Sequence, residues 1–123
     1  MPVAGDIKSI IVEVCKSKNI ETCMVISRNG IPIAWVMSNE SQVETIATLC
    51  ATILGAADVV YGGLGKPRTQ SVVMRSNGDT ILITSLSAKA LIVLGSSTMD
   101  EESLKKVANE ASGKIEEVLK REA

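Results

Sequence analysis

The amino-acid sequence predicts an α+β fold in which two β-hairpins flank one long, charge-poor helix and a further helix stands at each end of the chain. Three observations carry this reading. Asn29-Gly30 and Asn77-Gly78 each separate two apolar, β-branched runs, a strong hairpin signal because a type I′ turn needs positive φ at both central residues. Between the hairpins, Ser41 to Tyr61 carries only Glu44 and Asp58 as charged side chains, so a helix there must be covered on more than one side. Near the end, Leu104, Val107, Ala108, Ala111, Ile115, Val118 and Leu119 recur at helical spacing, giving one apolar stripe and one charged face.

Taken in order, the elements read α-β-β-α-β-β-β-α. Asp6 is an acceptable N-cap for a first helix with Ile7, Ile10, Ile11, Val14 and Cys15 on one face and Asn19 near its end. Thr22 to Arg28 and Ile31 to Met37 form the first hairpin. Trp35 alternates with Ile33 and Met37 there and is expected to be at least partly covered by a terminal helix. The long helix follows and stops at Gly62-Gly63. Arg68 to Ser76 and Asp79 to Leu86 form the second hairpin, and Lys89 to Gly95 supplies a fifth strand after a Leu86-Ser87-Ala88 turn. Thr98 followed three residues later by Glu101 has the form of a capping box, with Asp100, Glu101 and Glu102 at the positive end of the last helix. No linker, repeat or low-complexity tract interrupts residues 1–123, which read as one domain.

On the long helix, Val43, Ile46, Ala47, Leu49, Cys50, Ile53, Leu54, Ala56, Ala57, Val60 and Tyr61 fall within about half the circumference at ~100° per residue, a broad core-facing arc. The other half carries Glu44, Thr45, Thr48, Ala51, Thr52, Gly55 and Val59, small and mostly uncharged. Such a face is either a threonine-rich solvated surface or a contact with a second protein chain. Pro32 cannot donate to a ladder and so places the second strand at a sheet edge. The third strand, with Gln70, Val72 and Met74, has no proline or lysine of its own. It is either guarded by the flanking Arg68 and Arg75 or open to a second subunit. A homodimer through Thr48, Ala51, Thr52, Gly55, Val59, Gln70, Val72 and Met74 would cover both surfaces.

Composition narrows the function. Hydrophobic residues make up 46% of the 123 residues and charged residues 22%, so the chain folds around a core of its own. With one Trp, one Tyr, no Phe and a net charge of −1, it offers neither stacking platforms nor a basic field for nucleic acid. Histidine is absent, and Cys15, Cys23 and Cys50 form neither a disulfide framework nor a C-x-x-C zinc motif. Buried thiols in a reducing cytoplasm are expected. No signal peptide and no uninterrupted apolar run long enough to span a bilayer are read from the sequence. No His-assisted nucleophile can be assembled, and the carboxylates at Asp100 to Glu102 and at Glu116 and Glu117 read as solvated helix charges. Gly62-Gly63-Leu64-Gly65-Lys66-Pro67 is no phosphate loop, because Lys66 precedes Pro67 and the run leaves a helix. No catalytic residue, metal or cofactor is expected.

The hairpin Val25-Ile26-Ser27-Arg28-Asn29-Gly30-Ile31-Pro32-Ile33-Ala34, the Thr/Ala-rich helix from Glu44 to Val60, and Ile81-Leu82-Ile83-Thr84 leading to Leu91-Ile92-Val93-Leu94 together resemble the roadblock family, which includes roadblock-type dynein light chains and prokaryotic regulators of Ras-like GTPases. The resemblance covers nearly the whole chain and is one of pattern. It implies a five-stranded antiparallel sheet with the second helix on one face and the terminal helices on the other, and a dimer through the second helix and third strand. It further implies a non-catalytic scaffold or regulator that binds a Ras-like small GTPase around the second helices. Glu44, Thr45, Arg28, Arg68 and Arg75 are the candidate partner contacts. Two alternatives are a profilin-like or PAS-like sensor of a small ligand, which the scarcity of aromatic walls disfavours, and a motor or cytoskeletal adaptor.

Overall fold

A computed structural model describes residues 2–87 and 89–121, without the side chains of residues 2 and 3. Its elements are α1 (Pro2–Lys18), β1 (Thr22–Ser27), β2 (Pro32–Val36), a 3₁₀ turn (Glu40–Gln42), α2 (Val43–Gly63), β3 (Ser71–Ser76), β4 (Asp79–Ser87), β5 (Ala90–Ser96) and α3 (Glu101–Arg121). The strands form one sheet in the order β2-β1-β5-β4-β3, antiparallel at every pairing. The expected order and edges are thus found. Ala88, in the expected turn before β5, lies outside the described residues.

A different core lies on each face of the sheet. On one, Ile7 and Ile11 of α1 and Leu104, Ala108, Ala111 and Ile115 of α3 pack over Cys23, Val25, Leu82, Ile92 and Leu94. On the other, Val43, Ala47, Cys50 and Leu54 of α2 pack over Met24, Ile26, Ile83, Leu91 and Val93. The central strand β5 is buried along its whole length, which is why Leu91 to Leu94 reads as a continuous apolar run rather than an alternating one.

The structure corrects several local expectations. α1 begins before Asp6, which lies within the helix rather than at its cap. At the second hairpin Asn77 and Gly78 have φ of 48° and 90°, as a type I′ turn requires, whereas at the first only Gly30 is positive, at 88°. Gly30 N–H donates to Ser27 O (2.9 Å) and Ser27 N–H to Ile31 O (2.9 Å), a three-residue loop that ends on its left-handed glycine. α2 continues through Gly62 and Gly63. It closes with Gly65 at φ 70°, where Gly65 N–H donates to Gly62 O (3.1 Å) and Lys66 N–H to Tyr61 O (2.9 Å), a Schellman ending with Pro67 beyond it. α3 is capped by Asp100, not Thr98: Asp100 Oδ1 accepts from Ser103 N–H at 2.8 Å. Glu101 instead pairs with Lys105 and Arg75.

The β2 edge is closed in three ways. Pro32 withholds a donor, Lys8 Nζ on α1 donates to Trp35 O, and the register breaks so that Val25 faces Ala34 while Ile26 faces Pro32. Ile33 is therefore an extra residue, and a bulge of this kind resists further pairing. It also breaks the expected alternation. Ile33 packs with the α1–α3 core, whereas the half-buried Trp35 packs with Met37 on the α2 side, and the terminal helix α1 covers it only in part, through Lys8 Nζ 5.8 Å from the ring centroid.

All three cysteines are free thiols. Cys15 of α1 and Cys23 of β1, on consecutive elements, come together where the helix packs on the strand. The hydrogen bond between the two thiols lowers the pKa of Cys15, assisted by Lys8, and with burial raises that of Cys23 well above its ordinary value. Burial alone raises Cys50.

Candidate functional site

The core line of α2 is narrower than its sequence suggests. Val43, Ala47, Cys50 and Leu54 are buried, at the i, i+4, i+7, i+11 spacing of a single stripe. Leu49, Val60 and Tyr61, expected inside, are instead 54%, 59% and 43% exposed, with Val59 at 76% and Leu64 at 64%. Ala56 is likewise exposed. By length and composition alone Glu40–Gly63 is apolar enough to cross a membrane, and 22% of its apolar window is buried in this fold. Its core stripe rests on the sheet, and the surplus apolar surface faces outward.

That surplus is ordered. Exposed Leu49, Ala56 and Val60, with Ile46 and Ile53 half-buried against the α2-side core before and between them, follow the 3-4-3-4 spacing of a helix-pairing seam. On the helical wheel this seam lies on one flank of α2 and Thr48, Gly55 and Asp58 on the other. The second flank meets the first hairpin. A Cβ on Gly30 would approach Thr48 Cα to 2.9 Å, and Arg28 reaches Asp58. Of the residues expected at an interface, Thr48 thus borders the hairpin, Ala51 is half-buried, and Thr52, Gly55 and Val59 face outward. Thr52 Oγ1 donates to Thr48 O at 2.8 Å.

Among the described residues β3 pairs only with β4, which leaves its outer edge without a strand. Val72 and Met74 are half-buried on the α2 side. Gln70 precedes the strand, exposed, with its carbonyl accepting from Ser85 N–H at 2.9 Å. The arginines that could have guarded this edge are engaged elsewhere. Arg75 pairs with Glu101 on α3, and Arg68 Nε donates to Asp58 Oδ2 at 3.2 Å.

Asp58, which sequence reasoning passed over, is the junction of this region. Its Oδ1 accepts from Thr69 N–H at 2.7 Å, and Oδ2 lies 3.8 Å from Arg28 Nη1. Arg28 Nη2 also donates to Ser85 Oγ at 2.5 Å, so one carboxylate ties the first hairpin, α2 and the approach to β3 together. Burial pushes the Asp58 pKa up, but hydrogen bonds from Arg68 and Thr69 and the charges of Arg68 and Arg28 outweigh it, and the net shift is downward. A lone acidic residue late in an apolar helix was the available signal, since the helix end disfavours it without a cationic partner.

Glu44 and Thr45 stand apart from these arginines, at the start of α2. With Thr48, Trp35 and the first hairpin they line a groove of about 860 Å³. The five proposed partner contacts therefore form two groups and a remote Arg75. Among the described residues no group of His, Cys, Asp and Glu could hold a metal ion.

An outward apolar seam and a free strand edge suit contact between proteins, and comparison with known proteins agrees with the architecture. A search of curated proteins gave no match. Among solved structures, MglB with a tetrameric arrangement superposes with a TM-score of 0.86 at 18% identity, covering 98% of this chain and 93% of that one. MglB of Myxococcus xanthus gives 0.85 at 14% identity, covering 96% and 90%. The gliding protein MglB of Thermus thermophilus gives 0.84 at 19%, covering 98% and 93%. Identities this low show a shared fold, α3 included. The family model for the Roadblock/LC7 domain matches residues 7–96, from the first buried turn of α1 to the end of β5, and the chain belongs to the Roadblock/LC7 family.

Proposed function

We propose that the chain is a non-catalytic, cytoplasmic homodimeric scaffold that binds a Ras-like small GTPase and modulates its nucleotide cycle. The observation that carries this is the pairing of an exposed apolar seam on α2 with an unguarded β3 edge. The size of the seam argues that both surfaces take part. A helix of 21 residues is about 30 Å long, and a strip ~10 Å wide along it offers on the order of 300 Å². A stable interface takes roughly 800 Å² from each partner. β3 must then contribute, and a two-fold axis at its edge pairs it with its own copy. Family membership supports the regulatory role, and the relatives named MglB share the whole fold.

Sedimentation at tens of micromolar, an order of magnitude suited to a stable interface, is expected to give a dimer. Co-purification is expected to recover a Ras-like GTPase with it. A monomer at that concentration would remove the basis of the proposal. A small metabolite that raises the melting temperature while no GTPase binds would favour the ligand-sensor alternative instead.

A further inference from the structure

The groove at the start of α2 has a composition of its own. One wall is the first hairpin, with Ile31 62% exposed, and Trp35, the only tryptophan, half-buried beside it. The opposite wall carries Glu40 and Glu44, both exposed. Among the described residues neither has an ion-pair partner. Among the described residues no lysine or arginine lines the groove; Lys8 donates to Trp35 O and its Nζ lies 5.8 Å from the Trp35 ring centroid on the α1 side, beside a separate depression. The wall is held in place, because the left-handed Gly30 lies so close to Thr48 that no side chain fits between them. The groove also lies on the hairpin flank of α2, away from the seam, so a dimer formed through the seam leaves it open.

We infer that this groove docks a basic, amphipathic segment of a protein partner, whose Arg or Lys side chains pair with Glu40 and Glu44 while its apolar side chains lie against Trp35 and Ile31. Two uncompensated carboxylates favour a cation over an anion or a purely apolar chain, and Trp35, which already carries Lys8 over its ring, offers the apolar contact. Aromatic and arginine anchors dominate interfaces of this kind. The scaffold reading supplies the biological setting, and the groove itself is tested apart from it.

The probe is a synthetic amphipathic peptide of Arg and Leu, with a Glu and Leu twin, titrated against the full chain while Trp35 emission is followed. The Arg peptide is expected to give a saturable change that weakens with salt, as exposed charge pairs do. Affinity should fall by at least about tenfold, or ~1.4 kcal/mol, in the Glu40→Lys, Glu44→Lys double variant. A Glu116→Lys, Glu117→Lys variant, with its changes on α3, should bind as the native chain does, and circular dichroism checks that both fold. Equal binding of the two peptides, unaltered affinity after charge reversal at the groove, or no response to either peptide would overturn the inference. Trp35 emission that depends on protein concentration without peptide would identify a second copy as the occupant and overturn it too. Dimerisation and GTPase binding, measured on the same variants, report separately on the scaffold proposal.

Discussion

At Gly30 a single residue fixes how the first hairpin meets α2. Its φ of 88° is strained for any other residue, and an added Cβ would stand 2.9 Å from Thr48 Cα, a backbone atom that cannot turn aside. Gly78 has a similar φ of 90° but open space around it. Gly78→Ala should therefore cost about 1 kcal/mol from the dihedral alone, and Gly30→Ala roughly 1–3 kcal/mol more as the hairpin is pushed off the helix. Urea unfolding of the two variants measures the difference, and equal losses would refute the packing argument. Asp58 gives the pH dependence. Its pKa is lowered below 3.8 in the folded chain, so its contribution is complete above that value and is lost as pH falls through the folded pKa. The stability gap between the native chain and Asp58→Asn should be constant near neutrality and shrink below about pH 4. A gap that widened on acidification would show that the arginines do not hold this carboxylate. Neither feature was fully legible in the sequence. Asn29-Gly30 announced a turn but not which residue takes the positive φ, and no local pattern connects Arg28, Asp58, Arg68 and Thr69.

Element by element, the sequence was most informative where one period dominates. The apolar stripe of α3 and the apolar run of β5 lie where the sequence places them, with only their ends shifted, because a single amphipathic stripe and a single apolar run each admit one placement. α2 was harder. Apolar residues occupy both its core stripe and the flanking seam, so periodicity alone merged two surfaces into one broad arc and left the interface to the threonine face. The structure separates them, and the separation is testable. Val60→Arg and Leu49→Glu should convert the dimer to monomer in sedimentation while leaving the far-ultraviolet circular dichroism unchanged, since neither side chain is in the core. Thr52→Arg, on the outward face, should weaken association less. If Thr52→Arg alone dissociates the dimer, the threonine face and not the seam is the contact. The start of α3 offers a second check on an element boundary. Asp100 accepts the Ser103 N–H and Thr98 caps nothing, so Asp100→Ala should lower the melting temperature more than Thr98→Ala. The sequence points to Thr98 as the cap and to Asp100 as a charge at the helix start, and only the backbone conformation shows that Asp100 is the cap.

For the molecule as a whole, the asymmetry of its two sheet edges would set the direction of the proposed assembly. β2 is closed by a proline, a bulge and the Lys8 bond to Trp35 O, and β3 is left free beside the apolar seam of α2. In the proposed dimer growth would proceed on one side only, and a two-fold axis there would end it after a single step, giving a ten-stranded sheet with two α2 helices on one face. A GTPase resting on that face would meet residues from both copies, so its binding should require the dimer. Native chain and Val60→Arg are to be compared for binding of candidate Ras-like GTPases loaded with GDP or a non-hydrolysable GTP analogue. The native chain should prefer one nucleotide state by about tenfold, or ~1.4 kcal/mol, a difference that reordering of the switch segments can supply. The folded, monomeric variant should lose most of that affinity. If Val60→Arg is monomeric and binds as tightly as the native chain, the GTPase surface lies within one copy and the dimer serves another purpose.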